Sequence, residues 1–225
     1  MGDDARAAAE AENRRLTSPD ARYGARLRRR SSASALLAAV VEAERANLAH
    51  TMAALQADGA LERAAAKIVA ARRRFVLGTA KSRAHATLLH LELSASLAGV
   101  SLIDEAAVRA IDVLSDVRPT DVLVAFSFRR YARHTVTVAR AFADAGGHVV
   151  AITDDPGSPL AGAGHTTVVV GTGSASYADS PTAISAVTHA LATLTAASAK
   201  GARRRIARRE ELARTLSTYS DDGPP

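Results

Sequence analysis

Two short loops carry the residues whose types and spacing suit the binding of an anion: Gly78-Thr79-Ala80-Lys81-Ser82 and Ser127-Phe128-Arg129-Arg130. Each follows a short apolar run, Phe75–Leu77 or Asp121–Phe126, and each precedes a segment of helical periodicity. At the junction of a strand's carboxyl end and a helix's amino end, backbone N–H groups and the helix dipole favour negative charge. Open α/β sheets bind their ligands there. A third junction, Ser158-Pro159, begins a short helical turn after the run His148–Ile152. The Gly78 loop is neither a phosphate loop of the Walker type nor a GxGxxG fingerprint, which argues against ATP and NAD, so no cofactor is expected. The seven His are scattered without metal-ligand spacing, so no metal site is expected either.

The elements that must hold these loops follow from the pattern around them. Asp121–Phe126 is almost wholly apolar and rich in β-branched residues, as a strand covered on both faces must be. Tyr131, Thr135, Val138, Ala139 and Phe142 then recur at threes and fours, which predicts a helix ended by Gly146-Gly147. His148–Ile152 follows as a strand, completing a parallel βαβ unit. The same reading predicts strands at Phe75–Gly78, Val100–Ile103 and Thr166–Val170, five in all. Helices are predicted at Leu61–Ala71, from a Ser82 cap to about Leu97, from Asp104-Glu105 with Val108, Ile111 and Leu114 on one face, and from Pro181 to about Lys200. The expected fold is therefore α/β, a parallel five-stranded sheet between helices.

Around this body lie three less informative segments. Met1–Arg15 reads as a frayed helix and Arg26–Arg30 as a solvated basic face, while Leu36, Val40, Leu48, Met52 and Leu55 predict a long amphipathic helix ending near Asp58-Gly59. Arg203–Arg214 reads as a charged helix, and the last residues, DDGPP, as a disordered tail. The expected organisation is a helical segment and linker over 1–60, the α/β domain over 61–200 and a charged tail over 201–225.

Composition narrows the function classes. Of the 225 residues 48% are hydrophobic but only 4% aromatic, so the core is built from Ala, Val, Leu and Ile. The absence of Cys excludes disulfides, thiolate metal sites and a Cys nucleophile. No signal peptide or membrane-length apolar run is visible, and the expected location is the cytoplasm. A formal charge of +6 allows an anionic ligand or nucleic acid and selects neither.

The wording FVLGTAKSRAHA, DVLVAFSFRRYARHTVTVARAFADAGGHVVAITD and SPLA resembles the SIS (sugar isomerase) domain as carried by RpiR/MurR-type transcription regulators, and VVEAERANLAHTMAAL is similar to the linker before it in that family. The resemblance implies a flavodoxin-like fold that binds phosphorylated sugars or related phosphate esters at the strand ends. It also implies assembly as a homodimer or homotetramer, with Thr182–Ala199 and the linker helix as candidate contact surfaces. By position, Gly78, Thr79, Lys81 and Ser82 fall in the first phosphate-facing loop, Ser127 leads the second, and Ser158 joins them.

Two departures from the family shape the expectation. Many relatives read Ser-x-Ser-Gly-x-Thr at the second loop, whereas Ser127-Phe128-Arg129-Arg130-Tyr131-Ala132 replaces two hydroxyls and the Gly, leaving Arg129 or Arg130 as the candidate phosphate clamp. RpiR-type regulators also carry a helix-turn-helix domain before the linker, and the residues ahead of Ser32 show no such pattern. DNA contact is expected to be weak without one. The expected activity is that of a phosphosugar sensor. An aldose-ketose isomerase is the alternative, with His85, Glu92 and His189 as its candidate acid–base residues, each otherwise an ordinary helix residue.

Overall fold

The computed structural model describes residues 18–26 and 32–218. The segment to Arg15, the basic run beyond Arg26 and the carboxyl tail expected to be disordered lie outside the described residues. Five strands form one sheet: β1 (Arg73–Gly78), β2 (Val100–Ile103), β3 (Asp121–Phe126), β4 (His148–Thr153) and β5 (Thr166–Val169). Their order is β2-β1-β3-β4-β5 and every pairing is parallel. The most apolar run of the sequence is thus the central strand, and all six of its residues are buried.

Period-two alternation sends each strand's side chains to opposite faces. Val76, Val122, Val124, Phe126, Val150 and Ile152 join one core cluster, while Phe75, Leu77, Leu123, Ala125, Val149 and Ala151 join the other. The first face is covered by α3 (Ala60–Ala70), α4 (Ser82–Ser96) and α7 (Thr182–Ser198), with the end of α2 (Ala33–Asp58) packed outside them. The second is covered by α5 (Ala110–Leu114), α6 (Arg133–Asp144) and the 3-10 turn Ala161–Ala163. Because α4 and α6 cross on opposite faces, the strand order reverses between β1 and β3. The sheet therefore opens a crevice at the carboxyl ends of those two strands.

Local choices explain the boundaries. Ser32 caps α2 by accepting from the Ala35 N–H at 3.2 Å, and Gly59 ends it in a left-handed conformation at φ 64°. The buried Arg74 guanidinium donates to the carbonyls of Ile68 and Val69 at 2.6 and 3.0 Å, satisfying the last turn of α3. Two remaining helices stand at the edges: α1 (Pro19–Arg26), with Pro in its first position, and α8 (Ala202–Thr215), which rests on α4 and is largely exposed.

Three local expectations change. The helix expected from Asp104 is a turn, because the Asp104 carboxylate accepts from the N–H groups of Ala106, Ala107 and Val108 and holds them out of helical register. Only Ala110–Leu114 is helical, and Ile111, expected on the apolar face, is 70% exposed. Tyr131 lies in the loop before α6 and not on the helix. The apolar face of α7, a candidate subunit contact by sequence, is occupied within the chain by α3, α4 and α2.

Candidate functional site

At the mouth of the crevice β1 ends in Gly78, in register with Phe126 at the end of β3. A Cβ on Gly78 would lie 2.5 Å from the Ser82 carbonyl oxygen and 3.1 Å from the Ala86 Cβ, so only glycine lets the strand enter the first turn of α4 this closely. The chain then turns through Ala80, at φ 51°, and Lys81, in the right-handed helical region at φ −61° and ψ −33°. A positive-φ residue followed by a right-handed one is the alternation from which anion-binding nests are made, since it brings successive N–H groups to one concave side. The N–H groups of Ala80 and Lys81 have no acceptor among the described residues, whereas that of Ser82 donates to the Thr79 carbonyl at 3.1 Å.

Side chains of this loop divide between fold and site. The Thr79 hydroxyl meets that of Thr135, on α6, at 2.9 Å and so ties the two loops across the crevice. Lys81 donates its ammonium to the Asp179 carbonyl at 2.7 Å. The expected Ser82 cap is not made: Lys81 holds the cap position, no side chain caps the turn, and the half-buried Ser82 hydroxyl has no partner among the described residues. One turn on, burial and then the Lys81 charge push the His85 imidazole below its ordinary value. Its ring lies 6.2 Å from that of Phe128.

The second loop is largely engaged with its own surroundings. Ser127 is 1% exposed; its N–H donates to the Ile152 carbonyl, and its hydroxyl accepts at 3.1 Å from the N–H of Ala132, the residue that precedes α6. Arg129 turns away from the crevice toward β4. Its Nη2 lies 3.1 Å from Asp155 Oδ2, its Nε 3.8 Å from Asp154 Oδ2, and its N–H faces the same Asp154 oxygen at 3.4 Å. Asp154 is held above the ordinary carboxylate range by burial. Arg130, by contrast, is exposed and makes no ion pair with a described residue. Of the two candidate clamps, only Arg130 is unengaged.

Ser158 stands one strand further from β1. Its hydroxyl accepts from Thr153 Oγ1 at 2.9 Å and from the Ala161 N–H at 3.1 Å, which fixes the 3-10 turn. The structure therefore gathers Gly78, Thr79, Lys81, Ser82 and Ser127 about one crevice, leaves Arg130 free on its second loop, and commits Arg129 and Ser158 to contacts around β4.

Of the isomerase candidates only His85 lies beside the crevice, buried against Phe126 and Phe128. His189 Nδ1 lies 3.2 Å from Glu92 Oε1, but Glu92 is ten residues along α4 from Ser82, about 15 Å at the rise of an α-helix. Among the described residues no group of three or more His, Asp or Glu could hold a metal ion. Also among them, no helix is long and apolar enough to cross a membrane. Two surface depressions lie elsewhere, between α3 and α7 and between α6 and the 3-10 turn.

Sequence reasoning missed the segment that reaches the first loop from above. Residues 171–181 run without regular structure between β5 and α7, and Asp179 supplies both the carbonyl for Lys81 and a carboxylate 2.5 Å from the buried Arg22 of α1. The signal was present: Glu44, Asn47 and Thr51 interrupt the apolar α2 at helical spacing, and all three bond this segment.

A family model for the SIS domain matches residues 67–194. Among solved structures, the sugar isomerase domain of an RpiR transcription factor from Sphaerobacter thermophilus is 28% identical, with a TM-score of 0.70 over 78% of this chain and 96% of that one. The Vibrio vulnificus NanR protein, complexed with ManNAc-6P, is 16% identical with a TM-score of 0.67 over 79% of this chain and 68% of that one. An E. coli protein in complex with A5P is 14% identical with a TM-score of 0.60, over 80% and 99% of the two chains. No curated protein sequence matches.

Proposed function

Because the chain belongs to the SIS domain family, we propose that it binds a phosphorylated sugar or related phosphate ester and serves as the sensor of an RpiR/MurR-type transcription regulator in the cytoplasm. The observation that carries the reading is the first loop. Gly78 brings the strand against the helix, Ala80 and Lys81 present two unengaged N–H groups, and the Ser82 hydroxyl stands beside them. An ester dianion set there meets backbone donors, a hydroxyl, the Lys81 ammonium and the amino end of α4. Arg130 supplies a further charge from the second loop. Ser127 acts behind the ligand by fixing the start of α6, with its hydroxyl proton left to donate.

The regulator context draws on the RpiR relative, which is matched over nearly its whole length. NanR bound to ManNAc-6P and the E. coli protein bound to A5P share the fold and indicate ligands to try first. Isomerase chemistry needs an acid–base group within hydrogen-bond reach of the sugar carbons. Of its sequence candidates His85 stands beside the first loop but is 6% exposed, and the carboxylate–imidazole pair Glu92–His189 sits about 15 Å along α4 from that loop. A thermal-shift screen of phosphosugars, with products analysed, tests the reading. A ligand at a hundred times its dissociation constant should stabilise the fold by about 2.7 kcal/mol. For a chain of this size that is roughly 5 to 11 °C. Stabilisation without conversion supports the sensor, conversion supports the isomerase, and no response to any phosphate ester refutes both.

A further inference from the structure

Residues 171–181 form a strap that is hydrogen-bonded to the first loop through Asp179 and to the amino-terminal helices at several points. Its ends are drawn together by the Ser180 N–H, which donates to the Thr172 carbonyl at 3.1 Å. At one end Gly171 is clasped by α2: the Asn47 amide donates to its carbonyl at 2.9 Å, and its N–H donates to the Thr51 hydroxyl at 3.1 Å. No side chain fits here, since a Cβ on Gly171 would lie 2.2 Å from Asn47 Oδ1. At the other end the buried Ser180 hydroxyl donates to Glu44, and Asp179 pairs with Arg22 of α1. Glu44, Asn47 and Thr51 fall at i, i+3 and i+7, one face of α2 given over to a loop.

Among the described residues, the one hydrogen bond that joins this assembly to the first loop is that of Lys81. Its ammonium is held by the Asp179 carbonyl at 2.7 Å, a neutral acceptor. A phosphate dianion is a stronger partner for an ammonium than a carbonyl. If an ester in the first loop takes Lys81, the strap loses this hydrogen bond to the loop and keeps those to α1 and α2.

We propose that the strap 171–181 couples occupancy of the first loop to α1 and α2, through competition between the bound anion and the Asp179 carbonyl for Lys81. The proposal rests on the phosphate-binding reading of that loop. Coupling between sites is reciprocal, so whatever weakens the hold of α2 on the strap must change anion affinity. Untying the strap at Glu44, which lies outside the site, should free Lys81 more readily and tighten binding.

The test uses the full chain in two forms. The sequence contains no Trp, and Tyr177 on the strap is 49% exposed, so Tyr177→Trp places a single fluorescent reporter there. Titration with inorganic phosphate, ManNAc-6P and A5P should shift the indole emission saturably, with the midpoint given by calorimetry. In a second variant, Glu44→Ala, which leaves the Ser180 hydroxyl without its acceptor on α2, phosphate-ester affinity should rise at least about fivefold, the low end of ordinary coupling between sites. Circular dichroism and the ligand-free melting curve check that this variant is folded. Heat of binding with no emission change, or an affinity unaltered by Glu44→Ala in a folded protein, overturns the coupling and leaves the phosphate site standing. Absence of any heat or thermal shift with the whole panel overturns the site itself.

Discussion

Replacing each loop arginine by Ala should separate two roles that adjacent residues of one type conceal. Arg129→Ala removes the guanidinium from beside a buried acid and leaves that acid only the backbone N–H of its two Arg129 contacts. The Asp154 side chain is 8% exposed, and its Oδ2 faces the Arg129 N–H at 3.4 Å and Nε at 3.8 Å, while Asp155 accepts from Nη2 at 3.1 Å. A hydrogen bond to a charged group contributes on the order of 1.5–3 kcal/mol. Here the longer Asp154 contact and the 35% exposure of Asp155 reduce that, so the expected loss of stability is about 1–2 kcal/mol. In a chain of this length that corresponds to roughly 2 to 8 °C in melting temperature. Arg130→Ala removes an exposed cation without an ion partner among the described residues, so its melting temperature should stay within about 1 °C of the parent. It should nevertheless weaken a phosphate ester and leave the unphosphorylated sugar unaffected, and Arg130→Lys should weaken the ester less. Thermal melts with calorimetric titration of both ligand forms measure these effects. If Arg129→Ala leaves stability unchanged and abolishes ester binding while Arg130→Ala does neither, Arg129 leaves its aspartates for the ligand and the assignment is reversed.

Gly78→Ala should be worse than its one carbon suggests, because the new methyl meets the Ser82 carbonyl at 2.5 Å and backbone cannot step aside as a side chain can; overpacking of this kind costs about 1–3 kcal/mol and should remove phosphate-ester binding by displacing the nest. A Gly78→Ala protein with parental melting temperature and affinity would show that the close approach is not required. His85 has a folded pKa lowered by burial, so the unfolded chain binds its proton more readily; stability on this account should be full above about pH 6.5 and fall as pH drops through that value. His85→Phe should flatten that part of the stability–pH curve, and an unchanged slope would assign it to another group.

Much of the fold was legible because burial on both faces leaves a clear record in a parallel sheet. Asp121–Phe126 was read as a strand covered on both faces, and all five strands lie within a residue or two of their expected bounds. The two loops were legible for the same reason, since each is what remains between a strand and a helix. The helix expected at Asp104 failed because a carboxylate competing for nearby N–H groups outweighed periodicity. Ile111 failed with it, since five helical residues turn too little of their surface inward to follow the pattern.

What the sequence by itself determined is therefore the number and parallel direction of the strands, the strand-to-helix loops between them, and the residue types those loops carry. Only the tertiary structure decided how those residues are used. Arg129 and Arg130 are identical and adjacent in sequence, yet one is claimed by Asp154 and Asp155 and the other is not, because β4 ends beside only one of them. Lys81 likewise meets Asp179, ninety-eight residues away, through a loop whose lack of periodicity predicted nothing about where it would lie. Periodicity records which side chains leave water; it does not record which polar partner each one finds, since that depends on where distant parts of the chain come to rest.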